Sequence, residues 1–108
     1  MERGTKMLAF GKQELEAVLE EKRDQLLFFY TPMCGGCQVA REMIELVLKG
    51  EAGLQIAEID LNYIPDYASQ FEIESVPALV AIRNGELIAK RYEINNVMDV
   101  FEFTSKFA

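Results

Sequence analysis

Between Lys12 and Glu21 the apolar residues Leu15, Val18 and Leu19 recur at helical spacing, with Glu14, Glu16, Glu20 and Glu21 on the outer side. Such a stripe predicts an amphipathic helix with one buried face. The next pattern differs in kind. Gln25 to Tyr30 is a continuous apolar run of the sort a buried central strand needs. From Gln38 the pairs Val39/Ala40, Met43/Ile44 and Val47/Leu48 return every four residues and predict a second helix, which Gly50 and Gly53 end. Leu54 to Asp60 is a further strand candidate and completes a strand–helix–strand unit, normally parallel and right-handed. Pro65-Asp66 opens a short helix carrying Tyr67, Ala68 and Phe71. Ala78 to Ile82 and Glu86 to Tyr92 are extended runs joined through Arg83-Asn84-Gly85. Asn-Gly supplies the positive φ angles of a tight type I′ turn, so an antiparallel hairpin is expected. Asn95-Asn96 can cap a last helix whose Val97, Val100, Phe101, Phe103 and Phe107 turn inward.

The predicted order is helix, strand, helix, strand, helix, hairpin, helix. A parallel unit followed by an antiparallel hairpin gives one mixed sheet covered on both faces by helices, an α/β architecture. The 108 residues, 50% of them apolar, are expected to make one domain spanning 1–108 with a single core. No repeat, low-complexity stretch or linker interrupts the chain. A net charge of −7 without a Lys/Arg cluster argues against nucleic acid or an anionic membrane as partner. The apolar stretch Met7 to Phe10 is far short of a signal-peptide core, and no run approaches the length of a membrane span. A cytoplasmic protein is expected.

The chemistry is concentrated in Cys34-Gly35-Gly36-Cys37, which holds both cysteines of the chain between the buried strand and the second helix. At a helix start the unpaired N–H groups of the first turn and the positive end of the dipole stabilise a thiolate. So short a loop closes little chain entropy, so a structural staple is a poor reading, and redox exchange or metal binding remain. Zinc takes four ligands, and this chain offers two thiolates and no histidine. A metal would therefore need two chains to pool four thiolates. Catalysis of the cysteine-protease type lacks its base for the same reason. Asp60 and Asn62 read as the end of a strand and the cap of the next helix rather than as cation ligands.

Read together, Phe29-Tyr30-Thr31-Pro32-Met33-Cys34-Gly35-Gly36-Cys37, then Ile59-Asp60-Leu61-Asn62, Val76-Pro77 and Arg83-Asn84-Gly85-Glu86 resemble the thioredoxin family, in spacing and order, from about Leu8 to Phe107. The resemblance implies a thioredoxin fold, with a central mixed sheet of four or five strands flanked by about four helices. It implies that Cys34 is the attacking thiol, that Cys37 is the resolving thiol, and that Pro77 is a cis-proline facing them while Val76 offers its backbone to an extended substrate. Met33, Gly35 and Gly36 would complete the substrate contact. Each role has a physical sense. Lowering a thiol pKa from about 8.5 to about 7 raises its thiolate fraction at pH 7 from a few per cent to roughly half. Resolution needs a second thiol within reach yet shielded from outside disulfides. A cis X-Pro bond turns the chain sharply and leaves backbone groups free to pair with a peptide.

The chain also departs from the family. The buried Asp usual six residues before the first cysteine is Phe28 here, and the usual Lys of the neighbouring strand is Glu58. Alternation along Leu54, Ile56, Glu58 and Asp60 sets Glu58 on a face with two apolar residues. Desolvation there favours a carboxyl that takes up a proton, so Glu58 is a candidate acceptor for the proton of Cys37, the other reading being a side chain that merely reaches solvent. Gly-Gly replaces the usual Gly-Pro between the cysteines, which frees the backbone at Gly36. A potential less reducing than about −270 mV is expected on that ground. Met33 stands in place of the usual Trp as an adaptable contact. Glu93 stands where a Gly commonly keeps the substrate groove open.

The expected function is thiol–disulfide oxidoreduction on cytoplasmic protein disulfides in cell redox homeostasis. The enzyme would be a monomer without bound cofactor or metal, regenerated by a separate reductase. The alternative is a thioredoxin-like binding module whose cysteines act as a redox-sensitive clasp with little turnover.

Overall fold

Gln25–Tyr30 forms the central strand of a five-stranded sheet in the computed structural model, which describes residues 6–107. In chain order the elements are β1 (Leu8–Ala9), α1 (Lys12–Glu20), β2 (Gln25–Tyr30), α2 (Gly35–Gly50), β3 (Ile56–Asp60), a 3₁₀ turn at Leu61–Tyr63, α3 (Pro65–Gln70), β4 (Ala78–Arg83), β5 (Glu86–Arg91) and α4 (Val97–Phe107). The strands lie in the order β1-β3-β2-β4-β5. β2 pairs in parallel with β3, from Leu26 opposite Ile56 to Tyr30 opposite Asp60. On its other side it pairs antiparallel with β4, from Gln25 opposite Ile82 to Phe29 opposite Ala78. β1 extends the parallel side, Leu8 opposite Ala57. β4 and β5 are the expected hairpin, and Asn84 and Gly85 both have positive φ, 54° and 77°.

Because successive side chains of a strand point to opposite faces, β2 feeds two cores. Leu26 and Phe28 pack with Ile56, Leu79 and Ala81 beneath α2 and α4, where Cys37, Ala40, Ile44, Val100 and Phe103 close the layer. Leu27 and Phe29 pack with Ile59, Val80 and Ile82 against α1, through Leu15 and Val18, and against Ile64 and Phe71 around α3. Pro65 takes the first position of α3, where its missing N–H costs nothing. Asn96 Oδ1 accepts from the Asp99 N–H at 2.9 Å and so caps α4. Asp60 does the same for the 3₁₀ turn, accepting from the Asn62 N–H at 2.9 Å.

The sequence expectations need correction at several places. Val97 and Phe101 of α4 are exposed rather than turned inward. The second helix begins at Gly35, not Gln38, and β1 and the 3₁₀ turn had no counterpart in the pattern. No helix among the described residues is long and apolar enough to cross a membrane.

Candidate active site

β2 ends at Tyr30, the chain turns through Thr31-Pro32-Met33, and Cys34 becomes the N-cap of α2 with extended backbone, φ −94° and ψ 109°. The Cys34 N–H donates to the Thr31 carbonyl at 3.2 Å, which fixes the turn. A Ser or Asp at an N-cap accepts a hydrogen bond from the N–H two or three positions on. Here sulfur takes that place: the Cys37 N–H lies 3.1 Å from Cys34 Sγ and 3.2 Å from the Cys34 carbonyl oxygen. Cys34 and Cys37 are joined as a disulfide, with Cα atoms 5.3 Å apart. Their surroundings differ. Cys34 is half-buried, while Cys37, 1% exposed, sits in the core beneath α2.

Opposite the disulfide, the Val76–Pro77 peptide bond is cis, and Cys34 Sγ lies 3.8 Å from the Val76 carbonyl oxygen. A Cβ added to Gly36 would stand 3.8 Å from Pro77 Cδ, so the helix start and the proline are in near contact. Gly35 and Gly36 are exposed, Val76 and Pro77 half-buried, and Met33 is 95% exposed beside the half-buried sulfur. The structure thus brings together Met33, Cys34, Gly35, Gly36, Val76 and Pro77 as one surface at the carboxyl end of the central strand, where α/β sheets characteristically present their sites.

The segment leading to Val76 is braced from β5 and the chain just after it. Lys90 Nζ donates to the carbonyls of Phe71 at 3.0 Å and Glu72 at 2.9 Å. The Tyr92 hydroxyl accepts from the Glu74 N–H at 3.1 Å and donates to the Glu72 carbonyl at 3.3 Å. Sequence reasoning missed both residues. Their partners lie some twenty residues away, and no local pattern connects them.

Phe28 is fully buried below the cysteine helix, with its ring stacked on that of Tyr30, centroids 6.1 Å apart. Glu58 lies directly across β3 from Phe28, on the α2 face, as alternation indicates. Its carboxylate is engaged. Arg41 of α2 donates to Oε1 from Nε at 2.9 Å and from Nη2 at 2.8 Å. The same guanidinium lies over the Tyr30 ring, 4.6 Å from its centroid, and over Phe28 at 5.7 Å. Arg41 also escaped the sequence reading, although it follows Cys37 by one helical turn and so shares its face. Burial above all raises the Tyr30 phenol above its ordinary pKa, with the Glu58 and Asp60 charges acting in the same direction and Arg41 against them.

As for a metal, no group of three or more His, Cys, Asp or Glu among the described residues could hold one. What the arrangement can do is exchange disulfides: one accessible sulfur capped by an N–H, one shielded sulfur behind it, and a free backbone edge alongside.

Comparison with known proteins points the same way. The Thioredoxin family model matches residues 6–105. The thioredoxin-like protein YusE of Bacillus subtilis is 32% identical over 77 residues, which cover 71% of this chain and 73% of that protein. A thioredoxin of Mycoplasmoides gallisepticum is 25% identical over 81 residues, 75% of this chain and 81% of its own. Among solved structures, reduced thioredoxin of Schistosoma mansoni superposes with a TM-score of 0.79 at 19% identity, covering 95% of this chain and 99% of that one. Oxidised mitochondrial thioredoxin 3 of Saccharomyces cerevisiae gives 0.76 at 18% identity, covering 93% and 94%.

Proposed function

The chain belongs to the thioredoxin family and is a thiol–disulfide oxidoreductase, and from that premise we propose that it reduces protein disulfides through a Cys34/Cys37 dithiol cycle. The observation that carries the reading is the 3.1 Å approach of the Cys37 N–H to Cys34 Sγ at a helix N-cap. In the reduced protein that N–H, with the helix dipole, stabilises the Cys34 thiolate.

The thiolate attacks one sulfur of a substrate disulfide, forming a Cys34–substrate disulfide and releasing one substrate thiolate, which takes up a proton. Cys37 then loses its proton and attacks Cys34 Sγ. The second substrate thiolate leaves, and the Cys34–Cys37 bond forms, as the structure holds it. The substrate has gained two electrons and the protein has lost two. Burial of Cys37 keeps outside disulfides from reaching it, so it acts only after the first bond has formed. The proton of Cys37 needs an acceptor. Both Arg41 bonds fall on Oε1 of Glu58, so Oε2 is the oxygen left to take that proton, directly or through water.

Met33 and the backbone at Gly35, Gly36 and Val76, with Pro77, form the surface for an extended substrate strand. The family works with disulfide-containing proteins and a reductase, without a bound cofactor. A monomeric, cytoplasmic enzyme of this kind is part of the same proposal.

Trapping tests it. Cys37→Ser should hold a disulfide-bonded substrate as a stable mixed disulfide at Cys34, while Cys34→Ser should hold none. Turnover of insulin disulfides with a reductase supplied should accompany this in the unmodified protein. Capture without turnover would instead make the chain a binding module with a redox-sensitive clasp. Failure of Cys37→Ser to trap would remove the catalytic assignment. Glu58→Gln should slow resolution of the mixed disulfide, and an unchanged rate would take Glu58 out of the proton path.

A further inference from the structure

Arg41 is the nearest cation to the dithiol along α2, the other being Lys49 near the helix end. It stands one turn from Cys37, hence on the same helical face. Its guanidinium lies above the ring of Phe28, a residue of the apolar layer that also contains Cys37. Glu58 reaches the same spot from β3 and holds the guanidinium by two hydrogen bonds at 2.9 and 2.8 Å. With side chains 27% and 20% exposed, the two opposite charges stand at the rim of an apolar core rather than in open water. Phe28, beneath the guanidinium, belongs to the same apolar layer as Cys37, and such a layer screens a field less than water does.

We propose that Arg41 and Glu58 form a charge balance that sets the reduction potential of the Cys34–Cys37 couple, with Arg41 as a positioning residue for Glu58 and as counter-charge for the thiolate. This rests on the thiol–disulfide reading above. The disulfide carries no charge and the reduced site carries a thiolate, so a nearby cation favours the reduced form and a nearby anion the oxidised form. While both are present their fields largely cancel at the sulfur. Removing either one leaves the other uncompensated. The phenol of Tyr30 registers both fields, Glu58 acting on it in one direction and Arg41 in the other. The remaining groups acting on that phenol, Asp60 of β3 and Tyr63 of the 3₁₀ turn, are unchanged in the test.

The experiment is a glutathione redox titration at about pH 8, with the pH dependence of thiol alkylation measured in parallel. Arg41→Met keeps the stem over the rings and leaves Glu58 bare. It should favour the disulfide about fivefold, which is about 20 mV more reducing for a two-electron couple, and should shift the alkylation profile to higher pH. Glu58→Gln leaves Arg41 uncompensated and should move both readouts the opposite way by a similar factor. Arg41→Lys keeps the charge and should stay near the unmodified protein, and the double variant should return toward it. Loss of packing alone would move the two single variants in the same direction or leave the couple unmoved, and either result overturns the balance. If the unmodified protein shows no reversible equilibrium with glutathione, the oxidoreductase reading fails and takes this one with it. A titratable wild type with unshifted variants sinks the balance alone.

Discussion

Replacing Gly36 by proline should make the couple more reducing, and the structure allows the size of the effect to be worked out. Gly36 is the second residue of α2, its φ is not positive, and a Cβ there would meet only Pro77 Cδ at 3.8 Å, an ordinary contact. Its N–H sits in the first turn, where helix donors have no partner within the helix, so the ring removes no helix bond. The usual clash between a proline ring and the preceding residue is relieved because that residue, Gly35, has no Cβ. Proline should therefore fit, and its effect is entropic. In the disulfide form Gly36 is held within a small ring. In the dithiol form it is freer, and proline takes that freedom away, which raises the free energy of the dithiol alone. Fixing one glycine in this way is worth about 0.4–1 kcal/mol, and for a two-electron couple 1.4 kcal/mol corresponds to about 30 mV. The shift should be about 10–20 mV toward more negative potential. A glutathione equilibrium titration of Gly36→Pro against the unmodified protein measures it. An unchanged or less negative potential would show that backbone freedom between the cysteines has no part in setting the couple.

Two further outcomes test the frame that carries the site. Gly85 has φ 77°, and an added Cβ would fall 2.7 Å from the Leu19 carbonyl oxygen and 3.0 Å from Lys22 Cα. Gly85→Ala meets strain and a backbone clash together, so a loss of about 2 kcal/mol or more is expected in urea unfolding, and a loss under about 0.5 kcal/mol would contradict the close packing of α1 on the hairpin. Glu14 accepts from the Gly11 N–H at 2.7 Å, which holds its carboxyl below the ordinary value. A folded-state pKa below the unfolded one stabilises above the unfolded value and is lost as pH falls through the folded one. The unfolding midpoints of Glu14→Gln and the unmodified protein should therefore differ at neutral pH and converge once the pH has fallen below the ordinary carboxyl range. A gap that persists in acid would mean the cap does not depend on charge.

The sequence was most legible where packing and local pattern agree. β2 was legible because its four central residues, Leu26 to Phe29, are all apolar, as a strand buried on both faces requires. The hairpin was legible because Asn84-Gly85 has one economical conformation. The start of α2 was hidden, since Gly35 and Gly36 carry no apolar signal and the helix there is defined by Cys34 as cap. β1 is two exposed residues whose only mark is their pairing with β3, which no local pattern contains. Val39 and Phe101 show the limit of period reasoning: each sits next to the buried stripe yet just outside it. Within the site, the thiol pair could be read from spacing, while the separate roles of Cys34 and Cys37 and the cis bond before Pro77 could be expected only from family resemblance. The face of Glu58 was readable from alternation. Its partner Arg41 was not, because the pair joins a strand to a helix across the sheet face.

All of the proposed chemistry begins at one sulfur, and its acidity can be measured directly. The pH dependence of iodoacetamide alkylation of Cys34 in the reduced Cys37→Ser protein, read by mass spectrometry, reports when that thiol ionises. A midpoint well below that of an ordinary cysteine in an unfolded peptide is the predicted result, because an N-terminal helix turn donates to it. A midpoint at or above the peptide's would contradict the account.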